Sequence, residues 1–251
     1  MQNSCGVLGN LVQKDKYGVK VYEADLNETE SRKLGKERGR YITLNTSEII
    51  HTSITARKFV SKILAEKICS FLLEKELILV VGLGNAFLVA DNLGSLVIKD
   101  LLITHDMPSI ARRDLADVSA LITGVSGING FPTSDLVKSV VNLLSPTQVI
   151  VIDTFVAHDS SRLGTSFQIS NTGISAGAGL GRKSQSLNSA FLRVPVLSIG
   201  VPLMMNACDF GAEENFVITP KEIDILARNC AKILSRALNL SLYGKKYFDY
   251  V

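Results

Sequence analysis

Residues 76–102, ELILVVGLGNAFLVADNLGSLVIKDLL, constrain the fold more than any other stretch of the chain. They open with ILVV (residues 78–81), a short run of strand-forming residues that ends abruptly at the glycine turn GLGN (residues 82–85). Asp91 follows, at the start of a segment in which apolar residues recur with helical spacing. This order predicts a buried strand, a tight turn and a helix that packs back on a sheet.

A second apolar run, VIVI (residues 149–152), leads directly to Asp153 and repeats the arrangement. Two strands that each end near an acidic residue, with helical patterns between them, favour a parallel sheet covered on both faces. The alternating segments GVKVYEA (residues 18–24) and YITL (residues 41–44) predict an antiparallel pair at the sheet edge. We therefore predict an α/β fold of three layers, with a mostly parallel or mixed sheet between helices.

Domain organisation and environment follow from composition. Hydrophobic residues make up 46% of the chain and charged residues 20%, which indicates a globular protein with a sizeable core. No linker or repeat interrupts the pattern, so we predict one domain over residues 1–251, with residues 1–17 loosely held. The first residues lack the pattern of a signal peptide, and no apolar run reaches the ~20 residues that span a bilayer. A cytoplasmic protein with no membrane partner is expected.

Several binding functions are poorly supported by the sequence. A net charge of +3 is too small for a nucleic-acid binder, which would need clustered basic residues. The four cysteines form no C-x-x-C pair, so neither a zinc ribbon nor a disulfide framework is expected. GLGN lacks the third glycine of a dinucleotide fingerprint, and GISAGAGLG (residues 173–181) lacks the ending of a P-loop. We predict no metal and no cofactor.

The two aspartates are the strongest candidates for chemistry. Asp91 and Asp153 each follow a buried strand, and adjacent parallel strands would bring their ends into one cleft. Two nearby carboxylates repel when both are ionised, so one keeps a proton and the pair can act on a water as base and acid. The alternative is that Asp91 only caps its helix. His158 either enters the same site or lies in an exposed loop.

Several ordered motifs resemble those of the spore germination protease family of endospore-forming bacteria, aspartic-type peptidases that degrade small acid-soluble spore proteins. The family runs G-L-G-N, T-P-D-x-L-G and I-D-A-L-A are similar to GLGN, VADNLG (residues 89–94) and IDTFV (residues 152–156). The glycine-rich run D-T-G-I-x-P-G-x-G-V-G is similar to residues 171–181. Further likeness at residues 199–202 and 219–224 extends the match to about residues 18–242.

The resemblance implies that Asp91 and Asp153 are the catalytic aspartates of a cytoplasmic endopeptidase in the spore core. It also implies a phosphorylase/hydrolase-like fold shared with hydrogenase-maturation peptidases, a homotetramer and a zymogen that removes its own N-terminal segment. The R-T-D-L-A-like leader of the family is not found before residue 18. We assign substrate binding or oxyanion stabilisation to a further group of residues: Gly84, Asn85, Gly173, Gly177, Gly179 and His158.

The sequence also departs from the family motifs around the aspartates. Val89-Ala90 replaces Thr-Pro, Ser175-Ala176 replaces His-Pro, and single differences fall at Pro132, His158 and Asn171. Two alternatives to an active endopeptidase follow. One is a catalytically impaired homologue with a peptide-binding or regulatory role. The other is a metal-assisted peptidase of the maturation type, in which His158 or His105 joins the aspartates.

Overall fold

A mixed nine-stranded sheet organises the computed structural model, which describes residues 10–14, 18–73, 76–108, 115–175, 185–213 and 216–244. In chain order the strands are β1 Asn10–Lys14, β2 Lys20–Leu26, β3 Gly39–Asn45, β4 Leu77–Gly82, β5 Asp117–Ile122, β6 Gln148–Ala157, β7 Ser166–Ser170, β8 Val196–Asn206 and β9 Val217–Ile218. The helices are α1 Glu28–Leu34, α2 Ile49–Thr52, α3 Ile54–Cys69, α4 Leu93–Lys99, α5 Ser126–Asn129, α6 Thr133–Leu144, α7 Ser189–Leu192 and α8 Ile223–Tyr243.

The strand order is β1-β2-β3-β7-β8-β6-β4-β5, and β9 pairs with β8 beside this path. Strands β5, β4, β6 and β8 are parallel to one another, whereas β7, β3, β2 and β1 continue the sheet in antiparallel fashion. The sheet is therefore mixed, as predicted. The predicted antiparallel pair is also confirmed, since Val21 of β2 lies opposite Leu44 of β3.

The two faces of the sheet are covered by different helices, because alternate side chains of a strand point to opposite faces. Ile78 and Val80 of β4 belong to a core packed by residues of α3, α4 and α8. Leu79 and Val81 belong to a second core packed by α6 and α7. The predicted three-layer arrangement is confirmed. Among the helices of the described residues, none is long and apolar enough to cross a bilayer.

Strand β1 lies within the first 17 residues of the chain. Residues 1–17 were expected to be loosely held, but Asn10–Lys14 pairs antiparallel with β2. Without this strand, β2 would present a row of unpaired backbone N–H and C=O groups at the edge of the sheet. The sequence pattern did not predict this strand, because pairing at an edge depends on backbone groups, which a polar sequence carries as well as an apolar one.

The central strands also run further than the apolar pattern predicts. The sequence places Asp153 at the end of its strand, whereas β6 continues for four residues to Ala157. The neighbouring strand β8 is one residue longer than β6, and the two stay paired from Val149↔Val196 to Ala157↔Met205. Asp153 consequently lies inside a paired strand, directly beside Gly200 of β8.

Candidate active site

Asp91 lies in the connection that follows β4, at the carboxyl ends of the parallel strands. It ends the short 3-10 turn Val89–Asp91, and Asn92 occupies the N-cap position of α4 without a side-chain capping bond. The backbone N–H of Asn85 donates to Oδ2 of Asp91 at 2.9 Å. Asp91 is therefore held by the glycine turn and does not stand at the N-cap of the helix, which was the alternative role.

Three glycines allow this connection to fold tightly onto its own strand. Gly84 has φ +99°, and a Cβ atom there would overlap the main-chain oxygen of Asp91 and lie 3.0 Å from its Oδ1. A Cβ atom on Gly82 would lie 2.6 Å from the main chain of Gly94, and one on Gly94 would lie 2.6 Å from the main chain of Leu83. The glycines of the turn thus act by permitting close backbone approach, which fixes where Asp91 stands.

Asp153 lies next to the point at which β4 ends. Gly82, the last residue of β4, pairs with Ile152, and the N–H of Leu83 donates to the carbonyl oxygen of Ile152 at 2.9 Å. Asp153 follows immediately and is only 6% exposed. Its Oδ1 accepts a hydrogen bond of 2.9 Å from the N–H of Thr154. The connection that carries Asp91 therefore starts beside Asp153.

Burial and the neighbouring carboxylate set the protonation state of Asp153. Loss of hydration raises the pKa of Asp153 most, the negative charge of Asp91 raises it further, and the N–H of Thr154 lowers it; together they bring the pKa from 3.8 to about 8. Asp153 is therefore mostly protonated at neutral pH beside a charged Asp91. This is the division of roles that an acid and a base toward one water require.

Phe155 is a neighbour of the pair that the sequence did not single out. Its ring covers Gly200, the residue that faces Asp153 across the β6–β8 ladder, so closely that a Cβ atom on Gly200 would overlap the ring. The ring therefore fills the space beside the residue that faces Asp153. The signal available in the sequence was the glycine of SIG (residues 198–200) inside an apolar strand, which marks a close approach.

His158 and His105 each pair with a carboxylate other than Asp91 and Asp153. Nδ1 of His158 lies 3.0 Å from Oδ2 of Asp209, just beyond the end of β6. Nδ1 of His105 lies 2.9 Å from Oδ1 of Asp117, the first residue of β5. This pair is therefore at the amino ends of the parallel strands. Within the described part of the chain, no group of three or more His, Cys, Asp or Glu side chains is arranged to hold a metal ion.

The glycine-rich loop is described only in part. Gly173 has φ +86° and packs against the main chain of Leu187 and Asn188, while Ile174 pairs with Leu187 in a β-bridge. Gly177 and Gly179 lie outside the described residues. The oxyanion or substrate-binding role assigned to this loop stays a prediction, as do the roles of Gly84, Asn85 and His158.

The sequence departures leave the described contacts of the aspartates in place. Asn171 is exposed, and its Oδ1 accepts a hydrogen bond of 2.8 Å from the N–H of Arg40. Pro132 is exposed at the start of α6. The hydrogen bonds that Asp91 and Asp153 accept from Asn85 and Thr154 come from backbone N–H groups. Backbone donors do not depend on which side chain the sequence supplies.

Comparison with known proteins gives a consistent result. A protein-family model described as germination protease matches residues 2–214. A germination protease of Caldanaerobacter subterraneus subsp. tengcongensis is 32% identical, over 90% of this chain and 85% of its own length. One of Clostridium perfringens is 31% identical, over 89% of this chain and 84% of its own. One of Bacillus subtilis is 35% identical over 80% of this chain, which spans 57% of that relative.

Proposed function

Since this chain belongs to the germination protease family, we propose that it is an aspartic-type endopeptidase that cleaves small acid-soluble spore proteins during germination. The observation that carries the proposal is the pairing of a buried carboxyl group, protonated at neutral pH, with the charge of a second aspartate from the adjacent strand connection. The homotetramer, the zymogen and the spore-core location that the family likeness implies are part of the same proposal.

The reaction uses the two aspartates in different protonation states. Asp91, charged and partly exposed, accepts a proton from a water molecule, whose oxygen then attacks the carbonyl carbon of the peptide bond. Asp153 donates its proton to the carbonyl oxygen as the tetrahedral intermediate forms. When the intermediate collapses, the C–N bond breaks and the amine leaves with the proton taken up by Asp91, while the hydroxyl proton returns to Asp153. The pair ends in its starting state, and the net change is addition of water.

The direct test is to incubate the purified protein with a small acid-soluble spore protein and to identify fragments by intact mass, with and without a chelator. We expect cleavage at defined peptide bonds that the chelator does not reduce, because the pair needs no metal. Loss of cleavage on chelation would instead support the metal-assisted alternative. Absence of cleavage between pH 4 and 9 would support the non-catalytic alternative.

The pH dependence of cleavage tests the assignment of Asp153 as the acid. Its pKa of about 8 means that the donating form is present at neutral pH and is lost above pH 8. We expect the cleavage rate to fall about tenfold for each unit of pH above that value, since each unit removes about nine-tenths of the remaining protonated form. Initial rates between pH 6 and 10 measure this, with circular dichroism at each pH as the control for folding. A rate that rises steadily to pH 10 would contradict the assignment.

A further inference from the structure

A groove of about 590 Å³ lies among α3, α4 and α8, away from the two aspartates. Its walls are the first half of α3, the end of α4 and the middle of α8. The groove concentrates positive charge from all three helices: Arg57, Lys58, Lys99, Lys232 and Arg236. Five cations converge here, although the whole chain carries a net charge of only +3.

The lining of the groove holds more positively than negatively charged side chains. Asp100 is the acidic residue among those that line it. Lys58, Lys99 and Lys232 are exposed, and none of them forms an ion pair within 4 Å with another residue of the described ranges. Like charges brought together at a concave surface repel one another, and an anion placed between them would remove that repulsion.

The walls of the groove are fixed relative to one another by buried hydrogen bonds. The hydroxyl of Ser61 on α3 lies 2.9 Å from the carbonyl oxygen of Arg57 in its own helix and 3.1 Å from that of Ile233 on α8, so it shares its hydrogen bond between the two helices. At the other wall, Asn239 of α8 donates to the carbonyl oxygen of Asp100 at 2.9 Å and accepts from the N–H of Leu102 at 3.0 Å. The cations therefore project from a framework that is set before a ligand arrives, which lowers the entropic cost of binding.

From this geometry we propose that the groove binds a small, multiply charged anion that carries a chain of phosphate groups. Its volume lies within the range of about 300–1,000 Å³ that small-molecule sites occupy. A nucleic acid is a poorer fit, because specific protein–DNA interfaces cover about 1,000–2,500 Å² of protein surface and these cations surround a single groove. Ile54, Leu101 and Leu102 add apolar surface to the lining, against which a nucleotide base can pack.

The test is isothermal titration calorimetry of the full chain with inorganic triphosphate and, separately, with ATP. We expect saturable binding of both. The double variant Lys58→Glu/Lys232→Glu should weaken it at least about tenfold, since two attractive contacts become repulsive. Tighter binding of ATP would assign the site to a nucleotide, and equal affinity would assign it to the phosphate chain alone.

The matched control is Lys20→Glu/Lys33→Glu, which makes the same change of net charge at exposed lysines of β2 and α1. It should bind as the parent does, and thermal unfolding of both variants should confirm that they are folded. Equal weakening by the two double variants would show that overall charge alone is responsible and would overturn the proposal. Absence of saturable binding by the parent, or binding of a DNA duplex but of neither small anion, would overturn it as well.

Discussion

Replacement of Asp153 by asparagine should abolish peptide cleavage while the protein stays folded. Asparagine has nearly the same shape and can still accept the hydrogen bond from the N–H of Thr154, but it has no proton of comparable acidity to give. We expect the rate to fall by at least about 10²–10⁴-fold, the usual contribution of a general acid or base. The measurement is the initial rate of cleavage of a small acid-soluble spore protein at pH 7.

Asp91→Asn should cause a loss of the same order, because the base toward the water would be missing. The double variant Asp91→Asn/Asp153→Asn should then be little slower than either single variant, since residues that act as a unit are not additive. Asp224→Asn serves as the matched control, because Asp224 pairs with Arg228 on the exposed face of α8 and has no role in the proposed site. Cleavage at the parental rate by either aspartate variant would disprove the paired mechanism.

The replacement Asp153→Asn should also change the pH dependence of stability, which can be measured independently of activity. A pKa raised from 3.8 to about 8 means that the folded state binds the proton of Asp153 more tightly than the unfolded state does. The resulting stabilisation is present below pH 3.8 and is lost as the pH rises through 8. Asparagine has no carboxyl group to ionise, so the variant Asp153→Asn does not lose stability in this way as the pH rises. Its melting temperature should exceed that of the parent at pH 9 and approach it at pH 5.

Replacement of Gly84 by alanine should have the second largest effect. The new Cβ atom would overlap the main-chain oxygen of Asp91, and the φ of +99° is one that alanine rarely adopts. The connection must shift, and Asp91 must shift with it. We expect a loss of about 1–3 kcal/mol in the free energy of unfolding from backbone strain. A displacement of the catalytic group by about 1 Å should also cost about 10²-fold in cleavage rate.

Gly127→Ala is the matched control for this prediction. Gly127 lies in α5, and a Cβ atom there would meet no other atom within 4 Å. Urea denaturation and cleavage assays of the two variants should separate them clearly. If Gly84→Ala were as stable and as active as Gly127→Ala, the close approach of the turn to Asp91 would not govern the position of that aspartate.

The sequence predicted the layers of the fold because periodicity reports which faces are buried. The runs at residues 78–81 and 149–152 are apolar at every position, which is typical of strands covered on both sides, and they became β4 and β6. The position of β1 and the length of β6 escaped prediction for the opposite reason. Both depend on backbone pairing with a neighbouring strand, and a polar or mixed sequence carries no signal of it.

Both aspartates of the candidate site could be identified from the sequence, but their difference could not. The order of strand and acidic residue singles out Asp91 and Asp153 equally. Only the fold makes one of them 6% exposed inside a paired strand and leaves the other partly exposed on a connection. The pKa of a carboxyl group depends on its hydration and on nearby charges, and both are properties of the packed molecule.

The sequence by itself thus determined the family of the chain, its α/β layers and the two residues on which cleavage is proposed to depend. The tertiary structure alone decided that Asp153 keeps its proton, that Gly84 serves the placement of Asp91, and that cations far apart in the chain meet in one groove. Local pattern fixes which faces are buried because burial is periodic along a helix or strand. Residues as far apart in the sequence as Arg57 and Arg236 line one groove. No local sequence pattern predicts that they lie close together.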